Sequence, residues 1–407
     1  MLILLKHVHY VWLLWLITLA ACTNSTDTPT PVQNQYLVSS TEVAKLTKEQ
    51  VVAQLGPVAS QLGGVPLTPF IQNGCTQYRL TYKTKGSDGA DVTASGAVLV
   101  PTQANGTPKA GPLSALSIQH GTLFNEPDAP SYFAPNTEST TVGVLGAALG
   151  YLVVYPDYIG YGASKAVPHP YEVRKVTAST SYDMLKAVQE FVKEKNIDWT
   201  GNKLFLSGYS QGGGATMALQ QKIESETPAA FTLKAVSCGA GAYDKLNFTK
   251  FLLSSPSSGD PTSNSQYLWV MTTYNRVYNL NRPISYFLKE PYASAVQTQG
   301  PLAPINVSFN VAATDAFKNG IMNGTDTDLI NALKDNDTYN FVPKVPTLLI
   351  YGTADTQVYP LNSINPADAM KKAGATTVQL IPLPGETHVS GIAGYLTQTI
   401  LYFQSVQ

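Results

Sequence analysis

Charge is scarce in this 407-residue chain. Only 13 % of its residues are Asp, Glu, Lys or Arg, and 26 basic against 27 acidic side chains leave a formal net charge of −1. A protein that holds nucleic acid carries a basic footprint; none exists here, and nucleic acid is excluded as a partner. Long apolar runs are missing as well. The longest near the start, Val11 to Leu19, is short for a membrane span. Histidine is limited to five residues, which confines any search for a general base. Cysteine is limited to three, Cys22, Cys75 and Cys238. What is plentiful is apolar material, 44 % of the chain, enough for a large core. The length allows one large domain with an insertion, or two domains.

The first residues have the character of an export signal. Lys6, His7 and His9 precede the short apolar run, which ends in Leu19-Ala20-Ala21-Cys22. That tetrapeptide resembles the bacterial lipobox, in which the cysteine becomes the lipidated N-terminus. The expectation is therefore a lipoprotein signal peptide over 1–22, a lipid anchor at Cys22, and a solvated Thr/Asn/Ser/Asp/Pro tether over 23–35. The location follows: an exported lipoprotein of the bacterial cell envelope. The remaining Cys75 and Cys238 could pair in an exported protein, or stand as a buried small hydrophobe and a surface thiol.

One stretch organises the rest. Lys203 to Ser207 reads as a buried strand, Gly208-Tyr209-Ser210-Gln211-Gly212-Gly213-Gly214 follows, and Ala215 to Gln221 reads as helix. Strand, G-x-S-x-G, helix is the nucleophile elbow. A serine at the tip of such a sharp turn is exposed, and glycines two residues to either side keep side chains out of the crowded backbone. The N–H of Gln211 would then point to where an oxyanion forms.

Around it the chain reads as alternating elements. Thr41 to Leu55 has helical spacing and is stopped by Gly56-Pro57. Tyr78–Thr84 and Val92–Val100 form a hairpin across Gly86–Gly89. Strands are predicted at 113–119, 151–155, 203–207, 233–237, 347–351 and 378–383, and helices at 139–149, 177–195, 366–373 and from Val389 onward. Leu401-Tyr402-Phe403-Gln404-Ser405 has the look of a tag-protease site but stays in phase with the last helix and reads as native. Between about 243 and 342 the alternation stops in a segment rich in Tyr, Phe, Asn, Ser and Pro. Strands alternating with helices argue a mostly parallel sheet covered on both faces. The expected division is a core over 36–242 and 343–407, interrupted by a lid at 243–342.

The chemistry then needs a base and an acid. His7 and His9 leave with the signal; His120 and His169 precede the serine; His388 alone follows it, just beyond the strand 378–383. Serine, acid, histidine is the chain order of this architecture, and Asp355 ends the strand at 347–351. A neutral imidazole at His388 would take the Ser210 proton, and a buried Asp355 would fix its tautomer. Asp315, Asp326, Asp328 and Asp335 are weaker acid candidates. A second oxyanion donor should come from His120-Gly121-Thr122 after the strand ending at Gln119, from the N–H of Gly121 or of Thr122. His120, Asp157 and His169 read as structural.

These motifs resemble the α/β-hydrolases, and more narrowly the secretory lipase and bacterial serine esterase group. The matching residues are Gln119-His120-Gly121-Thr122, Tyr155-Pro156-Asp157-Tyr158-Ile159-Gly160-Tyr161-Gly162 with His169-Pro170-Tyr171, Gly208 to Gly213, Gly352 to Asp355, and Thr387-His388. The resemblance implies the α/β-hydrolase fold and carboxylic ester hydrolysis on a small-molecule, lipid-linked or polymer-linked ester. It implies neither cofactor nor metal. Two other readings stay open: a serine peptidase of the same fold, and a non-catalytic binding lipoprotein on a hydrolase scaffold.

Overall fold

The computed structural model describes residues 34–61 and 68–406. The signal peptide, Cys22 and nearly all of the tether lie outside the described residues. Nine strands form one sheet: β1 Leu37–Leu46, β2 Gly74–Lys85, β3 Asp91–Thr102, β4 Ala115–Gln119, β5 Leu152–Pro156, β6 Leu204–Tyr209, β7 Leu233–Gly239, β8 Thr347–Gly352 and β9 Val378–Leu383. Their order is β1-β2-β3-β5-β4-β6-β7-β8-β9. The first three strands and the β3–β5 pair are antiparallel, and every pair from β5 to β9 is parallel.

The parallel strands are short apolar runs because both faces are covered. In β6, Leu204 and Leu206 face one cluster with α3 (Arg174–Glu194), α4 (Gln211–Ser225) and α12 (Leu361–Lys372), while Phe205 faces the other. That second cluster is closed by α1 (Lys48–Gln61), α2 (Val144–Ala148) and α13 (Gly391–Ser405). Phe403 of the terminal string 401–405 is 2 % exposed and packs on Phe205, with ring centroids 5.0 Å apart, so Phe403 anchors that string to the core.

The predicted helix at Thr41–Leu55 is a strand followed by a helix. β1 lies at the sheet edge with most side chains exposed, Val43 included. Two register shifts against β2 break the alternation that would have marked it. The helix begins only at Lys48, behind a capping box: the Gln50 N–H donates to Thr47 Oγ1 (3.3 Å) and the Thr47 N–H to Gln50 Oε1 (2.8 Å). It continues through Gly56 and Pro57 instead of stopping there. Cys75 and Cys238 are both free and buried, in different clusters. Burial pushes the Cys75 thiol up to about 12 and raises that of Cys238.

Between β7 and β8 stand seven helices: α5 Lys245–Ser254, α6 Pro261–Val277, α7 Ile284–Phe287, α8 Tyr292–Gln299, α9 Phe309–Ala312, α10 Asp315–Met322 and α11 Thr327–Asp335. They share a cluster of their own, built around Leu268, Phe287, Phe309, Phe317 and Leu333. Polar side chains start them: Asp244, Asp260, Thr314 and Asp326 accept N–H groups of the first turns of α5, α6, α10 and α11. Six of the seven have too few turns for a period to show, and in the longer α6 buried Ser263, Asn264, Ser265 and Gln266 interrupt it.

Where this segment returns to the core, Asp337 is buried and its Oδ1 accepts the Lys245 N–H at 2.7 Å. Burial, with the Asp244 charge beside it, raises its carboxyl to about 7. A folded-state pKa above the unfolded value means that the folded chain binds the extra proton. Stability is therefore lost as pH rises from about 4 to about 7, and the loss is complete above that. Asp337→Asn keeps the acceptor and removes the charge. Its Tm relative to wild type should rise by roughly 2–4 °C between pH 4.5 and pH 8; a constant difference in thermal melts across that range would contradict this.

Candidate active site

In an open α/β sheet, ligands bind beyond the carboxyl ends of the strands where the strand order reverses. Here β4 is followed in the chain by β5 on one side of it and by β6 on the other. Gln119, the last residue of β4, is in register with Gly208 of β6. The crevice therefore opens between His120-Gly121-Thr122 and Ser210.

Ser210 joins β6 to α4 with φ 59° and ψ −124°, a conformation that an L-residue rarely holds. Close backbone approach forces the glycines. A Cβ at Gly208 would lie 2.3 Å from the Gly212 oxygen, and one at Gly212 would lie 2.0 Å from the Gln119 oxygen. The turn is held by the Ser210 N–H donating to the Gly239 carbonyl at 2.9 Å.

Three sequence candidates come together. Ser210 Oγ is 2.9 Å from His388 Nε2, and His388 Nδ1 is 2.7 Å from Asp355 Oδ2. Asp355 is 2 % exposed, and its other oxygen accepts the N–H groups of Gln357 and Val358, each at 2.9 Å. His388 is held from behind by its carbonyl, which accepts the Tyr209 hydroxyl at 2.7 Å. The weaker acid candidates serve elsewhere. Asp326 caps α11 and pairs with Arg282, Asp335 pairs with Arg174 and Lys175, Asp315 lies between Lys289 and Lys318, and Asp328 is exposed.

The oxyanion candidates differ among themselves. Gln211 opens α4, so its N–H stands at the positive end of that helix. The Gly121 N–H donates to Glu138 Oε1 at 3.2 Å, and the other Glu138 oxygen accepts the Tyr155 hydroxyl. Thr122 Oγ1 meets the Tyr171 hydroxyl at 2.8 Å, and among the described residues neither the Thr122 nor the Gln211 N–H meets a backbone acceptor. The Gln211 side chain is fixed by His169. His169 Nδ1 donates to the Ile159 carbonyl (2.6 Å) and its Nε2 accepts from Gln211 Nε2 (3.1 Å). Burial lowers the His169 pKa to about 3, so the ring stays neutral and able to accept. His120 is buried with its ring nitrogens on the Gly121 and Asp157 carbonyls, and Asp157 accepts from Ser95 (2.5 Å) and the Ser131 N–H (2.8 Å). The roles of Tyr209, Glu138 and Tyr171 carry no sequence signal, since each is a single side chain reaching across the fold.

Two spaces meet at Ser210. One is a wide cleft, lined by Gly121, Thr122, Glu138, His388, Ile392 and Leu396 among others. The other is far narrower and is walled by α5 and α6 through Phe248, Leu252, Tyr267, Val270 and Met271. His388 lines the first and not the second.

Known proteins resemble this chain in sequence and in fold. The secretory lipase family matches residues 136–245, and the prolyl oligopeptidase family matches residues 305–404. A search of curated sequences finds no match. Among solved structures, a protein of Legionella pneumophila superposes with a TM-score of 0.77 at 22 % identity, over 91 % of this chain and 98 % of that one. The rice cell wall degrading esterase of Xanthomonas oryzae gives 0.72 at 22 % identity, over 90 % and 96 %. Candida antarctica lipase A gives 0.63 at 16 % identity, over 92 % and 83 %. By its sheet, its elbow and these neighbours, the chain has the α/β-hydrolase fold and resembles the secretory lipase and bacterial esterase group.

Proposed function

We propose that the chain is a serine hydrolase of carboxylic esters. The observation that carries the reading is the hydrogen-bonded series Asp355–His388–Ser210 at the switch-point crevice. Ser210 Oγ attacks the ester carbonyl while His388 Nε2 takes its proton. Asp355, buried and acceptor-only, holds the Nδ1–H tautomer and stabilises the imidazolium. The negative oxygen of the tetrahedral intermediate is met by the Gln211 N–H and by the Thr122 N–H, because Gly121 spends its N–H on Glu138. His388 then protonates the departing alkoxide, leaving an acyl-Ser210 that water, activated by the same histidine, hydrolyses.

The position of His388 supports a reading of the two spaces. The group it protonates must lie on its side, so the alcohol occupies the wide cleft and the acyl group the narrow apolar pocket. The preferred substrate has a bulky alcohol portion and a compact apolar acyl group. The inserted segment 243–342 acts as a lid in the sense that α5 and α6 wall that pocket.

The match of residues 305–404 to a peptidase family favours a second reading, amide hydrolysis by the same residues. The wide cleft would then hold a peptide amine. Export with a lipid anchor at Cys22 completes the proposal, supported by the lipobox-like Leu19-Ala20-Ala21-Cys22 and by the match to a secretory family.

Three outcomes are expected. Wild type hydrolyses p-nitrophenyl acetate or butyrate, and Ser210→Ala lowers kcat/KM roughly 10⁴-fold or more with an unchanged melting temperature. Asp355→Asn costs about 10³–10⁴-fold through the wrong tautomer. Cleavage of a peptide p-nitroanilide with inert esters would hand the site to the peptidase reading. In a bacterial host, the full chain should incorporate labelled palmitate and Cys22→Ala should not; equal labelling of both would remove the anchor.

A further inference from the structure

The narrow pocket is apolar along α5 and α6 but not at one boundary. A second, smaller recess lies behind the first turns of α4, lined by Arg174, Thr177, Gln211, Ala215, Ala218 and Thr338 among others. Glu172 and Lys245 line both spaces, and they are the residues the two linings share. They form an ion pair whose side chains are 10 % and 5 % exposed. The partition between the two cavities is therefore a buried salt bridge.

Such a pair needs a reason other than stability. Lys and Glu are almost never fully buried unless paired. Apolar residues of the same volume are often as stabilising as a buried ion pair, or more so. This pair is also fixed in place. Glu172 sits at φ 55°, and its carbonyl accepts the Tyr274 hydroxyl of α6 at 3.0 Å. Lys245, in the first turn of α5, has its N–H on Asp337 Oδ1 at 2.7 Å. The backbones that carry the two side chains are thus tied to α6 and to the segment that follows α11.

Beyond the pair the lining mixes Ala215 and Ala218 with Arg174, Thr177, Gln211 and Thr338. Gln211 Oε1 and Thr338 Oγ1 are buried in the second cavity's lining with no partner among the described residues. An apolar chain running along Phe248, Leu252, Val270 and Met271 gains about four-fold in binding for each methylene it buries. Where it meets the pair the gain ends, because further methylenes shield a charge and leave polar atoms unsatisfied.

We propose that the Glu172–Lys245 pair is a specificity-determining partition that ends the acyl pocket and sets the longest apolar acyl group the enzyme prefers. This rests on the ester-hydrolase reading above. The test is kcat/KM for p-nitrophenyl esters from acetate to decanoate, in wild type and in the charge-free double variant Glu172→Gln with Lys245→Met. In wild type the value climbs with chain length and then levels or falls. In the double variant the break moves to longer chains, and the ratio of the longest to the shortest ester rises four- to sixteen-fold. A wild-type profile that keeps climbing to decanoate overturns the proposal without any variant. So does a double variant that lowers all esters equally, as a merely structural pair would. Should that double variant fail to fold, Glu172→Met with Lys245→Leu, which leaves neither an unpaired charge nor an unsatisfied amide, is read by the same ratio. Wild type inert toward every ester removes the function reading and the proposal together, whereas turnover without a chain-length break removes the proposal alone.

Discussion

A Cβ on Gly212 would stand 2.0 Å from the carbonyl oxygen of Gln119, so α4 lies directly against the end of β4 with no side chain between. The rest of the site depends on that contact. It brings the N-terminus of α4 beside the loop His120-Gly121-Thr122, and so sets the Gln211 N–H against the loop expected to give the second oxyanion donor. It also turns the chain sharply enough that Ser210 takes a left-handed backbone and presents Oγ to the crevice. Buried polar groups hold the contact shut: Thr216 Oγ1 donates to Gln119 Oε1 at 2.9 Å, and Gln119 Nε2 donates to Ser117 at 2.8 Å. Strain at the serine is sustained by this surrounding network rather than by local sequence preference.

Much of this was legible in the sequence, for identifiable reasons. The parallel strands are covered on both faces and read as short apolar runs, and their ends carry Ser210, Asp355 and His388 in chain order. The sharp turn can be built only with glycines, so the elbow is spelled in the residues themselves. What was not legible depends on neighbours distant in the chain. The edge strand β1 has an exposed, bulged pattern that imitates a helix, and only its pairing with β2 makes it a strand. Most helices between β7 and β8 are short, and the longer α6 buries Ser263, Asn264, Ser265 and Gln266 among its apolar residues. The Tyr209 hydroxyl on the His388 carbonyl, Glu138 on the Gly121 N–H, and His169 on Gln211 are tertiary contacts that no spacing announces.

The two spaces at Ser210 give the site an asymmetry. The sheet and α13 border a wide cleft that shares His388, while α5 and α6 border a narrow pocket that does not. On the proposed ester-hydrolase reading, the core would supply the reacting groups and the room for the leaving group, and the inserted helices the acyl wall. Changes in the insertion would then alter which acyl group is accepted without disturbing the hydrogen-bonded series. The lone buried charge pair in that wall is the feature that departs most from an apolar lining.

The central claim is that Ser210 is an activated nucleophile. The most direct measurement is mass spectrometry of peptides from the protein treated with a fluorophosphonate. The account requires one adduct, on the peptide that carries Ser210, and its loss in His388→Ala. An unlabelled protein, or an adduct on another residue, would contradict it.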